Sequence, residues 1–240
     1  MNPDINTLVI NALRESNTLT TAAITKKILE SFPELSKSAI SWRLHKLKAE
    51  GLIQSPSYGT YSLLTKANFT PNLSSSVKRL YSRIQKEHPG IELCVWDSKW
   101  FNEFLSETQE TSFIVAEVEK EFSEAVFNSL TDISKKIFFD PSAEILSRYI
   151  LNLKDAIIIK PIISESPCSE IDNVRVALLE KLFVDSLAEP EMFAFLNDLK
   201  KDAILKNVIG KYNISISKMK RYSKRRNQHQ NLSKLLSKLK

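Results

Sequence analysis

One stretch constrains the fold more than any other, SKSAISWRLHKLKAEGLIQSPSYGTYSLL, from Ser36 to Leu64. Its first half places Ile40, Leu44 and Leu47 at helical spacing behind Ser36, a residue type that caps helices well. Its second half contains two short runs of strand-like composition around a turn of Ser, Pro, Tyr and Gly. The stretch therefore predicts an amphipathic helix followed at once by a β-hairpin.

Two further helices are predicted upstream of this stretch. Apolar positions from Ile5 to Leu13 repeat at helical spacing, and Thr20 or Thr21 can cap a second helix that ends before Pro33. Three helices followed by a hairpin resemble the winged helix-turn-helix family. That resemblance implies that the third helix enters a DNA major groove and that the hairpin is the wing.

In this interpretation, the outward side of the third helix and the tip of the hairpin bind DNA. Small serines let bases approach closely, and lysine and arginine suit phosphates. The predicted DNA-binding residues are Lys37, Ser38, Ser41, Trp42, Arg43, His45, Lys46 and Tyr58. Two alternatives stay open, because Trp42 can instead pack against the next domain and the whole module can dock a protein. Residues 1–65 carry a net charge of only +2, which is low for a DNA-binding module and leaves protein docking open.

The charge of the chain is distributed unevenly. The net charge is +6, but residues 66–198 carry −8 and residues 199–240 carry +12. A basic tail on an acidic body favours a polyanionic partner. The alternatives are that the tail docks on the acidic body, or that it is only a solvated helical face. The tail residues predicted to contact phosphates are Lys218, Lys220, Arg221, Lys224, Arg225 and Arg226.

The middle of the chain alternates between strand-like and helical segments. The strand-like runs are Glu92 to Trp96, Phe113 to Glu117, Lys136 to Phe139 and Ala156 to Lys160. Such alternation predicts a small α/β sheet that is covered on at least one face. After Pro161 the pattern turns helical. The helices predicted there are Val174 to Leu187, Glu191 to Ile209 as one longer helix or a helix pair, Ser215 to Arg226 and Leu232 to Leu239.

These segments predict an α+β protein of two domains. Residues 1–66 form the winged helix-turn-helix, and residues 67–90 form a linker and a connecting helix. Residues 91–240 form an α/β domain that ends in the basic helical region. A core of useful size is available because 42% of the residues are apolar.

The chain also resembles the AbiEi family, the antitoxin half of bacterial toxin–antitoxin pairs. The resemblance is carried by Gly59-Thr60-Tyr61 at the wing, by the segment Glu180 to Asp185, and by Tyr222 to Arg226 in a late helix. The second of these lacks the Arg that the family has after the Glu. The resemblance implies a transcriptional autorepressor that neutralises a nucleotidyltransferase-like toxin encoded beside it and takes part in phage defence.

No pattern typical of a cofactor, a metal site or an enzyme stands out, so we expect none of the three. The four glycines form no nucleotide-binding loop, and the three histidines have no metal-ligand spacing. The rival is a metal-dependent nuclease that uses Asp97, Glu117 and Lys120, but along a strand Glu117 and Lys120 face opposite sides. We therefore predict that Glu117 and Glu119 lie at a charged rim where a strand gives way to a helix.

The remaining features concern location and partners. Cys94 and Cys168 have no metal spacing, so we expect reduced, partly buried thiols, with a disulfide as the open alternative. No apolar run is long enough to span a bilayer and the N-terminus lacks a secretion signal, which predicts a cytoplasmic protein without membrane contact. The expected partners are double-stranded DNA of the chain's own operator, the toxin, and a second copy, either as a homodimer or paired on DNA.

Overall fold

The computed structural model describes residues 4–64, 66–105, 107–109, 112–132, 134–196 and 198–238. The protein is a mixed α/β chain that divides into two compact units. The first unit is Met1–Asn68 with Lys211–Ser217, and the second is Phe69–Gly210 with Lys218–Lys240. Within the described ranges, no helix combines the length and the apolar character that crossing a membrane requires.

The first unit contains three helices and a small antiparallel sheet. In chain order its elements are α1 Ile5–Ser16, β1 Leu19–Thr20, α2 Thr21–Ser31, α3 Lys37–Ala49, β2 Ile53–Gln54 and β3 Thr60–Leu63. The strand order is β1-β3-β2. The side chains of Thr20 and Ser36 accept hydrogen bonds from the amides of Ala23 and Ala39, so both predicted caps are confirmed.

The predicted apolar stripes of the three helices meet in one core. Its members are Val9, Leu13, Ile24, Ile28, Ile40, Leu44, Leu47 and Ile53. Because these positions recur at helical spacing, each helix buries one face and leaves the opposite face outside. The hairpin is fastened to this core, since the Thr21 amide and hydroxyl both donate to the carbonyl of Gly59, at 2.7 and 3.0 Å.

The second unit is built around a six-stranded mixed sheet. Its helices are α4 Ser75–Glu87, α5 Ser123–Thr131, α6 Ala143–Ile145, α7 Leu179–Ala188, α8 Asp198–Lys211, α9 Ile216–Arg225 and α10 His229–Ser237. Its strands are β4 Leu93–Asp97, β5 Ser112–Val118, β6 Ile137–Phe139, β7 Lys154–Pro161, β8 Cys168–Ile171 and β9 Val174–Ala177. The four strands predicted from the apolar runs are β4, β5, β6 and β7, and all four are confirmed.

The strand order of this sheet is β6-β7-β5-β4-β9-β8. β5 lies antiparallel to β4 and parallel to β7, in a register that places Glu117 beside Cys94 on one side and beside Lys160 on the other. Cys94 and Cys168 are free thiols whose Sγ atoms lie 3.0 Å apart. The central strands β4 and β5 are buried along their whole length, so any polar side chain on them lies in the interior.

The prediction of one helix from Val174 to Leu187 is wrong. The segment begins as β9, which forms a hairpin with β8, and only Leu179–Ala188 is helical. The turn of this hairpin is Asp172-Asn173, and both residues have positive φ, 50° and 59°. A two-residue turn of this kind matches the twist of antiparallel strands and favours Asn and Asp.

Two helix boundaries also differ from prediction. The helix expected from Glu191 begins instead at Asp198, because residues 191–196 form turns. The last helix, expected as far as Leu239, is α10 His229–Ser237, and Leu239 lies outside the described residues.

Candidate nucleic-acid interface and buried charged cavity

The outward face of α3 is polar and exposed. Ile40, Leu44 and Leu47 are buried beneath it. The predicted contact residues of this helix that lie exposed are Lys37, Ser38, Ser41, Trp42, His45 and Lys46, and Arg43 is half-buried beside them. They spread over the sides of α3 that the core leaves free, with Lys37 and Arg43 at the two margins of this surface.

Trp42 is the largest apolar group on this face and is 61% exposed. It is flanked by two cations, with Arg43 Cζ 5.7 Å and Lys46 Nζ 5.6 Å from its ring centroid. Both distances fall within the range of cation–π attraction. An aromatic ring between two cations suits a surface that meets a sugar–phosphate backbone.

The hairpin tip presents Tyr58, which is fully exposed. The turn behind it is held by polar contacts, since the Ser57 and Thr60 hydroxyls lie 2.6 Å apart and the Ser55 hydroxyl donates to the Ser57 carbonyl at 2.9 Å. Gly59 has φ +70°, a conformation that residues with a Cβ adopt at a cost. The tip is therefore fixed in shape although its ring lies in solvent.

An open groove runs between α2 and α3. Its volume is about 830 Å³. Its walls are Thr21, Ala22, Thr25, Lys26, Leu29, Glu30, Lys37 and Ser41. The two α3 residues of this groove are also predicted DNA contacts, so the groove is continuous with the outward face of α3.

The basic tail is a structured part of the second unit. Met219, Tyr222 and Ser223 are the buried side of α9. The tail residues that lie exposed are Lys218, Lys220, Arg221, Lys224 and Arg225. Helix α9 is thus amphipathic, with a basic outer face over an interior stripe.

Several tail residues are engaged within the protein. Arg221 Nε lies 3.2 Å from Glu165, which also contacts Arg225. Arg225 donates hydrogen bonds to the carboxylate of Glu165, and they lower the pKa of Glu165. Within the described part of the chain, no carboxylate lies within 4 Å of Lys220 or Lys224. The tail therefore combines internal ion pairs with cations that face solvent.

A cluster of charged side chains lies inside the second unit. The mainly apolar sequence of the segments that carry it does not predict such a cluster. Lys181 on α7 is 1% exposed, and its Nζ lies 2.5 Å from both Glu117 Oε1 and Asp185 Oδ2. The Trp96 indole donates to Glu117 Oε1 at 3.0 Å, and the Tyr222 hydroxyl donates to Asp185 Oδ1 at 2.9 Å. Removing such groups from water is expensive unless they neutralise one another.

A second group of charges continues this cluster towards the surface. Glu189 accepts from Lys160 at Oε2 and from Arg226 at Oε1, each at 2.5 Å. Arg226 Nε lies 3.0 Å from Asp185 Oδ1, an ion pair without hydrogen-bond geometry, and Lys160 Nζ lies 3.6 Å from Asp140. Arg226, predicted to contact phosphate, is only 14% exposed and is committed to this cluster.

Together these residues line a cavity of about 200 Å³. Its charged walls are Glu117, Asp140, Lys160, Lys181, Asp185, Glu189 and Arg226. Its apolar and aromatic walls are Trp96, Pro161, Ile163, Met192, Phe193 and Tyr222. The rings of Trp96 and Phe193 are stacked, with centroids 5.2 Å apart.

Burial and charge pairing set the protonation of the cluster. Burial alone lowers the pKa of Lys181, but Asp185 and Glu117 raise it well above its ordinary value, so the ammonium stays charged. Burial raises the pKa of Glu117 despite Lys181. Burial also opposes ionisation of Glu189, yet Lys160 and Arg226 hold its pKa below the ordinary value.

The prediction that Glu117 belongs to a charged rim is wrong. Glu117 is a buried residue of β5, and it points to the face that α7 covers. Glu119 lies just beyond the end of β5, where its carboxylate accepts from the Glu92 amide at 2.6 Å. Asp97 is buried at the end of β4 and accepts from the Lys99 amide, and burial raises its pKa. Across the described residues, no three His, Cys, Asp or Glu side chains converge on a possible metal position.

Comparison with known proteins identifies the family to which the chain belongs. Residues 39–240 match the model of a family of unknown function, DUF6577. No curated protein matches the chain. Among solved structures, the RV2827C protein from Mycobacterium tuberculosis matches over 99% of this chain and 82% of its own, with 13% identity and a TM-score of 0.28. A likeness that loose carries no argument about fold or function.

Proposed function

Because the chain belongs to DUF6577, a family of unknown function, we propose a role from its own residues, that of a DNA-binding transcriptional autorepressor with a winged helix-turn-helix as its first unit. The observation that carries the proposal is the exposed polar face of α3 beside a hairpin tip that projects Tyr58. In such modules the third helix enters the major groove and the wing contacts the backbone alongside it.

The two kinds of contact divide by side-chain chemistry. Ser41 and His45 are one turn apart on α3 and can hydrogen-bond base edges. Lys37, Arg43 and Lys46 suit phosphates, which position the protein without reading sequence. The protein-docking alternative uses the same face, but it gives no reason for the two cations that flank Trp42.

The proposal includes an antitoxin role, supported by the resemblance to the AbiEi family. The basic outer face of α9 adds cations that can contact a second stretch of DNA or an acidic surface on a nucleotidyltransferase-like toxin. Operators of such repressors are commonly read as two half-sites, so we propose a dimer or paired binding on DNA. Co-expression with the adjacent gene tests the role: rescue of growth supports it, and a neighbour that is harmless alone overturns it.

The nuclease alternative finds less support in the second unit. The carboxylates of Glu117 and Asp185 are bridged by the ammonium of Lys181, which occupies the space between them. Asp97, at the end of the neighbouring strand, does not line the cavity that holds this cluster. DNA incubated with the protein and Mg²⁺ or Mn²⁺ should remain intact, and cleavage that is lost in Glu117→Gln would restore the alternative.

Fluorescence anisotropy with a labelled duplex from upstream of the gene tests DNA binding. We expect log Kd to rise steeply with log salt, and Arg43→Ala/Lys46→Ala to reduce the slope by about two, one for each phosphate that the variant no longer neutralises. The matched control is Arg79→Ala/Lys86→Ala, which removes two exposed cations from α4. Equal effects of the two double variants, or binding insensitive to salt, would overturn the proposal.

A further inference from the structure

The cavity of the second unit has a built interior that DNA binding does not use. Its volume of about 200 Å³ equals that of about six or seven water molecules at ~30 Å³ each. It is lined by the aromatic rings of Trp96 and Phe193 and by charged side chains from β5, β7 and α7 and from the residues that follow β6, α7 and α9. Cavities that combine apolar walls with a few convergent polar groups are typical of small-molecule sites.

The charge of the cavity favours a cation. Four carboxylates and three cationic side chains line it, so its walls carry a formal net charge of −1. The three cations already contact carboxylates at 3.0 Å or less. An anionic ligand would have to compete with those carboxylates, whereas a cationic ligand balances the remaining negative charge.

One carboxylate oxygen at the cavity marks the position proposed for the charge of the ligand. Both donors to Glu117, the ammonium of Lys181 and the indole of Trp96, contact the same atom, Oε1. Within the described residues no donor contacts Oε2, although the Glu117 side chain is only 6% exposed and lines the cavity. Glu117 Oε2 is open to the space of the cavity and not enclosed by protein, so an N–H group placed there can donate to it.

We propose that this cavity binds a small organic cation with a primary ammonium or guanidinium group, which donates to Glu117 Oε2 beside the aromatic wall. The rings of Trp96 and Phe193 are stacked on each other and give the cavity an apolar wall, which suits the hydrocarbon part of such a cation. Asp140, at the more exposed end of the cavity, adds negative charge beside Lys160. The site lies wholly within the second unit and does not depend on DNA binding.

The test uses three probes of matched size, n-butylammonium chloride, sodium butyrate and n-butanol, with sodium chloride at equal ionic strength as the blank. The indole N–H signals of the three tryptophans are followed by ¹⁵N NMR on the full chain, with Trp96 assigned by Trp96→Phe. We expect n-butylammonium to shift the Trp96 signal with a Kd on the order of 1 mM, as befits a ligand of few atoms. Equal shifts with butyrate or butanol, or shifts confined to the other indoles, would overturn the proposal.

Variants locate the contact. Glu117→Gln keeps the shape and removes the charge, and should weaken n-butylammonium binding by about tenfold or more. Glu121→Gln, an exposed residue of the same type, should leave Kd within about twofold. Asp140 is half-exposed, and Asn tolerates the positive φ of this position. Asp140→Asn should weaken n-butylammonium binding by about threefold. This variant keeps the test decisive if Glu117→Gln fails to fold. Unchanged binding in the folded variants contradicts the assignment.

Discussion

Replacement of Lys181 by methionine tests whether the buried cluster is a matched set of charges. The ammonium is 1% exposed and lies 2.5 Å from two carboxylates that are 6% and 7% exposed. Methionine fills a similar volume but leaves Glu117 and Asp185 buried without their counter-ion. Breaking a buried ion pair by removing one partner costs about 3–5 kcal/mol.

The expected loss is large on the scale of this protein. In a unit of this size each kcal/mol lowers Tm by about 2–4 °C, so Lys181→Met should melt about 6–20 °C below wild type. The measurement is thermal unfolding at pH 7 followed by circular dichroism, together with urea unfolding to obtain the free energy. The matched control is Lys224→Met on the exposed face of α9, expected within about 0.5 kcal/mol of wild type.

A double variant separates charge from packing. Glu117→Gln removes one of the two carboxylates that Lys181→Met leaves without a counter-ion. Lys181→Met/Glu117→Gln should therefore be more stable than Lys181→Met alone by about 1 kcal/mol or more. If Lys181→Met has the same Tm as the Lys224→Met control, the ammonium of Lys181 does not neutralise buried charge. If the double variant loses the sum of the two single losses, the residues are not coupled.

Three further predictions concern the tip, the α3 face and pH. Gly59→Ala places a Cβ at φ +70° and should lower the free energy of urea unfolding by about 1–2 kcal/mol, and no loss would show that the hairpin tip relaxes freely. Trp42→Ala should leave Tm within about 2 °C, because the ring is 61% exposed, while DNA affinity in anisotropy falls by about tenfold; a fall in Tm instead would mean that the ring is packed. Burial raises the pKa of Glu117, so this group contributes stability that is full below its ordinary value of 4.5 and is lost as pH rises through the folded-state value. The stability of wild type relative to Glu117→Gln should therefore fall as pH is raised from 4.5, and a difference that is constant or rises with pH contradicts the assignment.

Much of the first unit could be predicted because local pattern and tertiary packing agree there. Ile40, Leu44 and Leu47 recur at helical spacing, Ser36 caps their helix, and the core uses those same side chains. The hairpin could be predicted from the turn-forming residues between its two strands. In this region each local choice points to the same structure, so periodicity was sufficient.

The hairpin of β8 and β9 escaped prediction because its second strand runs directly into α7. The segment from Val174 to Leu187 is predominantly apolar, and a mainly apolar run does not distinguish a buried strand from a buried helix. A signal was present in Asp172-Asn173, two residues that tolerate positive φ, between the short runs Cys168 to Ile171 and Val174 to Ala177. Turn chemistry would have divided the segment where apolar periodicity could not.

The charged cavity could not be predicted from pattern alone. Glu117, Lys181 and Asp185 are charged residues within apolar segments, and sequence rules place charge outside unless a partner is known. Their partners come from β5 and α7, and only folding brings them together. Lys181 and Asp185 are one helical turn apart, which hints at a pair, but the same spacing is common on exposed helix faces.

One substitution on α3 tests the proposed contact between the outward face of this helix and a DNA duplex. Ser41→Glu adds a negative charge in the middle of that face without touching the core, and Ser31→Glu makes the same change at the exposed end of α2. Anisotropy should be measured on the upstream duplex and on a scrambled duplex of equal length. We expect Ser41→Glu to lose about 100-fold or more in affinity, because it brings an anion against phosphates and base edges, while Ser31→Glu stays within about threefold. Equal affinity of Ser41→Glu and wild type for the upstream duplex would show that this face of α3 does not contact DNA.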